Sequence, residues 1–283
     1  MIKLNGTKLA LELQNKIKLD KKNSLRLDII QIGNDYASSL YIKRKRNICE
    51  TLNIKTKLWK LSKNTSNEEV IKLIDKLNSR SDVNGILLQL PIPKKLDPEF
   101  IIKKINPLKD VDVFNKKTLK LKDKNQNRPI PCLVGAIEAL KTKYKISFDN
   151  KIIVIIGKGR TGGLPIINWY KNSYKVISLD KRSKNINSYV EKADILISAI
   201  GKTKVIDATK IKKGAIFFDI GINRINKNLK KISGDIDYNE AKKRAKFGTP
   251  VPGGIGPLTI IMLIKNLIIL SRIQNEQEIN NCI

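Results

Sequence analysis

Four short runs in the second half of the chain, KIIVIIG (151–157), KVISLD (175–180), ADILISAIG (193–201) and GAIFFDIGIN (214–223), constrain its fold most tightly. They are apolar throughout instead of alternating, the pattern of strands in a parallel sheet covered on both faces. The first half shows the same rhythm. LRLDIIQIG (25–33), TKLWKL (56–61) and GILLQL (85–90) read as strands, with helical stretches over 37–51 and 67–79 between them. Two βαβ series of this kind restrict the chain to an α/β architecture with parallel sheets. The segment KDKNQNRPIP (122–131), charged, Asn-rich and holding two prolines, marks a boundary between them. A last apolar run over 257–274 reads as a helix that returns to the first domain. The expected organisation is two domains: residues 1–121 with the returning C-terminal helix 257–283, and residues 122–256.

Composition narrows the functions available to such a chain. Its 283 residues suffice for two domains, and 41% apolar with 29% charged residues is the balance of a globular protein. The opening MIKLNGTKLALELQNK lacks the uninterrupted apolar segment and cleavage pattern of a secretory signal. The longest apolar run, Leu258 to Leu270, is interrupted by Lys265 and Asn266 and is shorter than a bilayer of about 30 Å requires. No membrane partner is expected, and the cytoplasm is the expected location. Cys49, Cys132 and Cys282 are odd in number and far apart, which suits a reducing compartment and offers no metal-ligand spacing, so no metal is expected. Histidine is absent. That excludes Ser-His-Asp and Cys-His catalysis and HExxH zinc sites, leaving acid–base work to Lys, Tyr, Asp, Glu or Cys. A net charge of +30 raises nucleic-acid binding, but the lysines are spread through every segment without a recognition motif. No specific nucleic-acid partner is expected; a dispersed positive field attracts small anionic ligands.

Several segments carry chemistry. The strand KIIVII runs straight into GKGRTGG, so that Gly157, Gly159 and Gly162 form a GxGxxG at a strand-to-helix turn. Glycines at that spacing allow close approach of a pyrophosphate to backbone at a helix N-terminus, and Asp180 closes the next strand, where an acid takes ribose hydroxyls. The second half therefore reads as a Rossmann-type dinucleotide-binding domain. Tyr41 and Lys45, in YIKRK, are four apart and share one face of a helix. A lysine disfavoured as an ammonium by burial or neighbouring cations accepts a proton near neutral pH; taken alone, the pair reads equally as a solvated face. Gln89 lies at a strand end in GILLQLPIP, where parallel sheets bind ligands, and Asp110 and Asp112 lie in NPLKDVDVF. Asp112 is an anion able to hold an amino-pyrimidine edge, though both acids alone would suit loop carboxylates paired with Lys. Near the C-terminus, TPVPGGIGPLT packs three prolines and three glycines into a loop whose shape is dictated residue by residue.

The succession of GxxxAS with Tyr41-x-x-x-Lys45, GILLQLPIP, KDVD, GKGRTGGLP, ADILISAIGK, GAIFFDIGINR, GDID and TPVPGGIGPLT resembles the bifunctional methylenetetrahydrofolate dehydrogenase/methenyltetrahydrofolate cyclohydrolase family over residues 30 to 265. The resemblance implies a two-domain α/β enzyme of one-carbon metabolism, a homodimer, with tetrahydrofolate derivatives bound in a cleft between the domains and no metal. It implies that Lys45 is the essential cyclohydrolase lysine, Tyr41 the aromatic beside the pterin, Gln89 the residue that tunes the lysine, and Asp112 the folate-anchoring acid. It also implies that Pro252, Gly253 and Gly254 lie beside the folate, and that Gly157, Lys158, Gly159 and Ile222 contact the dinucleotide. Departures from the family pattern are Val113 for the glycine of KDVDGF, Leu133 and Val134 for the TP of PCTP, Lys158, Gly159 and Gly162 in the phosphate loop, and Leu179, Asp180 and Lys181 in place of CHS. The last two groups bear on the cofactor. Asp180 favours NAD, whereas Lys158, Lys181 and Arg182 suit the 2′-phosphate of NADP, which is the expected cofactor. The alternatives are a monofunctional NAD-dependent methylenetetrahydrofolate dehydrogenase and a basic nucleic-acid-binding protein on a Rossmann scaffold.

Overall fold

A computed structural model describes residues 1–19, 24–180, 182–224 and 232–281. In chain order the elements begin β1 (Ile2–Lys3), α1 (Gly6–Asn15), β2 (Arg26–Ile32), α2 (Tyr36–Thr51), β3 (Lys55–Leu61), α3 (Asn67–Asn78), β4 (Gly85–Leu88) and α4 (Pro98–Lys104). They continue α5 (Cys132–Tyr144), β5 (Ile152–Ile156), α6 (Gly163–Tyr170), β6 (Lys175–Leu179), α7 (Ile186–Lys192), β7 (Ile195–Ser198), β8 (Ile216–Asp219), β9 (Asn223–Arg224), β10 (Ile232–Ser233), α8 (Tyr238–Ala241), β11 (Phe247–Gly248) and α9 (Ile255–Asn281). Contacts divide the chain into two compact units, residues 17–132 with 262–283, and residues 1–16 with 133–261.

The first of these holds a parallel sheet of three strands in the order β3-β2-β4. From β2 the chain moves outward to β3 and returns on the other side as β4, so the order reverses at the carboxyl ends of β2 and β4. Such a reversal leaves a crevice where ligands bind in open α/β sheets. Ile30, Ile32, Val70, Ile74 and Leu88 form the core between the sheet and α3. Helix α3 starts at a capping box in which Ser66 and Glu69 satisfy each other's backbone N–H. Edge strand β3 exposes Lys55, Lys57 and Lys60, charges that oppose pairing with a further strand.

The six-stranded unit has the order β1-β11-β8-β7-β5-β6, every neighbour parallel. Its order reverses at β5 and β7. Strand β7 is buried along its whole length and β5 over Ile153–Ile156, as continuous apolar runs require. Both units bear out the α/β reading, with strands within a few residues of their expected positions.

The division differs from the expected one at three places. Residues 1–16 join the six-stranded unit because β1 pairs with β11, Leu4 is wholly buried, and the Asn5 N–H donates to the Tyr144 hydroxyl at 3.0 Å. The boundary falls after Cys132, not after 121. Residues 122–131 are tied to α9: the Lys124 N–H donates to Glu276 at 3.0 Å and the Ile130 N–H to Asn266 Oδ1 at 3.1 Å. Third, α9 is a single helix of 27 residues whose start, up to Ile261, groups with the six-stranded unit, so that only residues 262–283 belong to the first unit. By length and composition alone it could cross a bilayer, contrary to expectation, but more than half of its most apolar stretch is buried inside the protein, as in the core helix of a globular chain.

Candidate active site

In the three-stranded unit, β2 is followed by Gly33, whose φ of +76° turns the chain toward Asp35. The Asp35 carboxylate accepts from the Ser38 N–H at 2.7 Å and starts α2. The buried face of α2 carries Ser38, Ile42, Lys45 and Cys49 at helical spacing. Lys45 is only 8% exposed, an unusual place for an ammonium-bearing side chain. Its Nζ donates to Gln89 Oε1 at 3.1 Å, and Gln89 Nε2 donates to the Leu90 carbonyl at 2.7 Å. The second bond fixes which end of the Gln89 amide faces the lysine. Gln89 directly follows β4, so the pair lies where the sheet order reverses. Tyr41, one turn ahead of Lys45, is half-buried, and burial raises its phenol above the ordinary value.

A bridge parallel to β4 pairs Ile86 with Asp110, and the Ile86 N–H donates to the Lys109 carbonyl at 2.7 Å. The same direction carries Asp112 toward the carboxyl end of β4. The two acids differ in role. Asp110 accepts from the Val113 and Asn115 N–H groups at 3.1 and 2.7 Å and from the Thr118 hydroxyl at 3.2 Å; burial pushes it to about 7. It shapes the turn in which Val113 holds a φ of +59°, a left-handed conformation costly for a β-branched residue and natural for the family's glycine. Asp112 faces the Cys132 thiol at 3.6 Å; burial raises its carboxyl, with the Lys45 charge acting in the opposite sense.

In the six-stranded unit the GKGRTGG loop leaves β5 at the reversal point. Gly157 has a φ of +106°, and a Cβ there would lie 2.6 Å from the Ala199 carbonyl carbon, behind β7. A Cβ on Gly159 would meet nothing within 4 Å. Lys158 and Gly159 are exposed, as is Ile222 after β8. The loops after β7 and β8 are held by two buried acids. Asp235 accepts from the Ile200, Gly201 and Lys202 N–H groups at 2.7, 3.0 and 2.9 Å, and Asp219 from Gly221, Asp235 and Ile236 N–H at 2.9, 3.1 and 2.9 Å. Burial pushes Asp219 to about 7. Pro252, Gly253 and Gly254 sit against the start of α1, where the Thr7 N–H donates to the Gly253 carbonyl at 3.0 Å and Gly6 leaves no room for a side chain beside Gly254. Gly253 has a φ of +101°. Among the described residues no cluster of His, Cys, Asp or Glu is placed to hold a metal ion.

Residues 4–112 match the tetrahydrofolate dehydrogenase/cyclohydrolase catalytic domain, and residues 131–275 match the NAD(P)-binding domain of the same proteins. The chain belongs to the tetrahydrofolate dehydrogenase/cyclohydrolase family. It is 38% identical to the bifunctional protein FolD of Agathobacter rectalis over 269 residues, 94% of this chain and 96% of that one. The crystal structure of the bifunctional FolD methylenetetrahydrofolate dehydrogenase/cyclohydrolase of Campylobacter jejuni matches with a TM-score of 0.86 at 33% identity, covering 98% of this chain and 99% of that one. The Trypanosoma brucei enzyme, solved with NADP cofactor and an inhibitor, matches with a TM-score of 0.87 at 26% identity over 97% and 98% of the two chains. Membership of the tetrahydrofolate dehydrogenase/cyclohydrolase family disfavours the nucleic-acid-binding alternative.

The loop chemistry fits the dinucleotide of the tetrahydrofolate dehydrogenase/cyclohydrolase family, since the space beside Gly159 is open where a phosphate requires close approach to backbone. The glycine that sequence reasoning missed is Gly163. As the first residue of α6 it packs against the Gly157 carbonyl with no room for a Cβ, whereas Gly162 would place one 3.2 Å from the Ala199 Cβ. Tight helix–strand packing thus falls one residue later than the GxGxxG count puts it; the doubled GG was the available signal. Asp180 is already engaged, accepting from the Arg182 N–H at 2.9 Å with the Arg182 guanidinium at 3.5 Å. These contacts hold its carboxyl below the usual range, with Lys158 adding to the effect. Lys181 lies outside the described residues. A second missed residue is Ser38, whose buried hydroxyl has no partner among the described residues, on the same face of α2 as Lys45. The GxxxAS motif contained it without assigning it a role.

Proposed function

We infer that this chain oxidises 5,10-methylenetetrahydrofolate to the 5,10-methenyl compound with a nicotinamide dinucleotide and hydrolyses that product to 10-formyltetrahydrofolate. The observation that carries the reading is the Lys45–Gln89 pair, at 3.1 Å, on the reversal edge of the three-stranded sheet in a chain with no histidine. When bound, the nicotinamide supplies the hydride acceptor for the first step. For that step the chain's part is placement: Asp112 anchors the pterin through its amino-pyrimidine edge, Tyr41 lies beside the ring, and Pro252, Gly253 and Gly254 contact the folate. Gly157, Lys158, Gly159 and Ile222 hold the dinucleotide.

In the second step water adds to the methenyl carbon and gives up one proton, the carbon–N5 bond breaks as N5 takes the remaining hydroxyl proton, and the formyl group stays on N10. Lys45 Nζ takes or relays the proton of the attacking water, and Gln89 Oε1, accepting from Nζ, holds the amine in place. A monofunctional dehydrogenase would have no use for this pair. NADP is the preferred cofactor, because Asp180 is occupied by Arg182 while Lys158 stays exposed to meet a 2′-phosphate. The protein works as a homodimer in the cytoplasm, a reading supported by the family resemblance and by buried Cys49 and Cys132, both free thiols.

Lys45→Ala is expected to abolish methenyltetrahydrofolate hydrolysis while the protein stays folded. The decay of methenyl absorbance with the purified variant tests this, and wild-type turnover would assign the proton transfer to another group.

A further inference from the structure

The long C-terminal helix carries a polar residue with almost no access to water. Asn266, in α9, is 1% exposed, with Ile264 and Leu267 wholly buried on either side. A primary amide in such surroundings is costly unless its hydrogen bonds are met. Here they are met by backbone. Asn266 Nδ2 donates to the Val111 carbonyl at 2.9 Å and to the Ile130 carbonyl at 2.8 Å, while Oδ1 accepts from the Ile130 N–H at 3.1 Å. Both amide protons and one oxygen lone pair are used on two segments far apart in sequence.

Those segments flank Asp112. Val111 precedes it directly, and two residues after Ile130 the Cys132 thiol is shared between Asp112 Oδ1 at 3.6 Å and the Val111 carbonyl at 3.7 Å. Asn266 Nδ2 also lies 3.7 Å from Cys132 Sγ. Farther along α9, Gln274 Nε2 donates to the Leu108 carbonyl at 2.6 Å, so the helix grips the strand-like segment leading to Asp112 at a second point. All of these residues belong to the three-stranded unit.

We propose that Asn266 is a positioning residue for Asp112: its carboxamide locks the Val111 and Ile130 backbone so that the Asp112 carboxylate, gripped by Cys132, is held ready for the pterin. The proposal rests on the reading of Asp112 as the folate-anchoring acid. A double-mutant cycle tests it, with tetrahydrofolate and NADP binding measured separately by calorimetric titration and folding by thermal melting. Asp112→Asn and Asn266→Leu should each weaken tetrahydrofolate binding by about tenfold or more, a clear step on the affinity scale, and leave NADP binding within about twofold. In the double variant the two losses should not add, because Asn266 acts through Asp112; a purely structural asparagine would give additive losses. If Asn266→Leu is not recovered folded, Asn266→Ser, which keeps one hydroxyl donor, takes its place in the same cycle. Wild-type tetrahydrofolate affinity in a folded Asn266 variant, or additive losses, would overturn the proposal while leaving Asp112 in its role. Wild-type affinity in Asp112→Asn would instead remove the reading on which the proposal depends.

Discussion

Gly159→Ala and Gly163→Ala each place one methyl on the turn from β5 into α6, with opposite expected consequences. At Gly159 a Cβ meets nothing within 4 Å, and the residue is not among those with positive φ. Alanine therefore fits the folded backbone and restricts the unfolded one, so stability should be unchanged or higher by about 0.4–1 kcal/mol. The same methyl intrudes on the space a pyrophosphate needs. NADP affinity should fall at least about tenfold, or roughly 1.4 kcal/mol. At Gly163 the methyl would overlap the Gly157 carbonyl oxygen, so strand and helix must separate. Helix propensity returns about 1 kcal/mol, against an overpacking cost of roughly 3 kcal/mol for a backbone clash that no rotamer relieves. The net loss of about 2 kcal/mol corresponds to a Tm lower by roughly 4–8 °C. Differential scanning calorimetry and NADP titration of both variants separate the two effects. NADP binding at wild-type strength by Gly159→Ala would refute the assignment of the loop as the phosphate cradle. A wild-type Tm for Gly163→Ala would refute the packing argument.

The remaining expectations concern cofactor choice and pH. Lys158→Ala should cost NADP affinity far more than NAD affinity, and Asp180→Ala should improve NADP further; steady-state kcat/KM with each cofactor checks both, and a wild-type value clearly higher with NAD would show that Asp180 dominates. Asp219, pushed to about 7 when folded, binds its proton more tightly than the unfolded carboxyl does. Its contribution is therefore fully present below the unfolded value of about 4 and is lost as pH rises through about 7. Asp219→Asn, a neutral mimic, should destabilise the protein more at pH 5 than at pH 8, read from paired denaturant melts; an equal or reversed difference would mean that Asp219 does not titrate near 7 in the folded protein.

The strands and the main helices were legible because their signals are local: continuous apolar runs, caps, and glycines at strand ends. So were Tyr41 and Lys45, whose relation is a matter of helical spacing. The Lys45–Gln89 hydrogen bond was not, since β3 and its flanking helices intervene in sequence and only the β3-β2-β4 order brings the end of β4 beside α2. The boundary after Cys132 and the attachment of residues 1–16 likewise depend on long-range pairing, β1 with β11 and Asn266 with Ile130, that leaves no periodic trace. Asp110 and Asp112 show the limit most sharply. As letters they are equivalent carboxylates two positions apart; the fold surrounds one with backbone donors and leaves the other facing a thiol near Lys45. Residue identity supplied the available charges, and the tertiary fold decided which of them is spent on backbone donors.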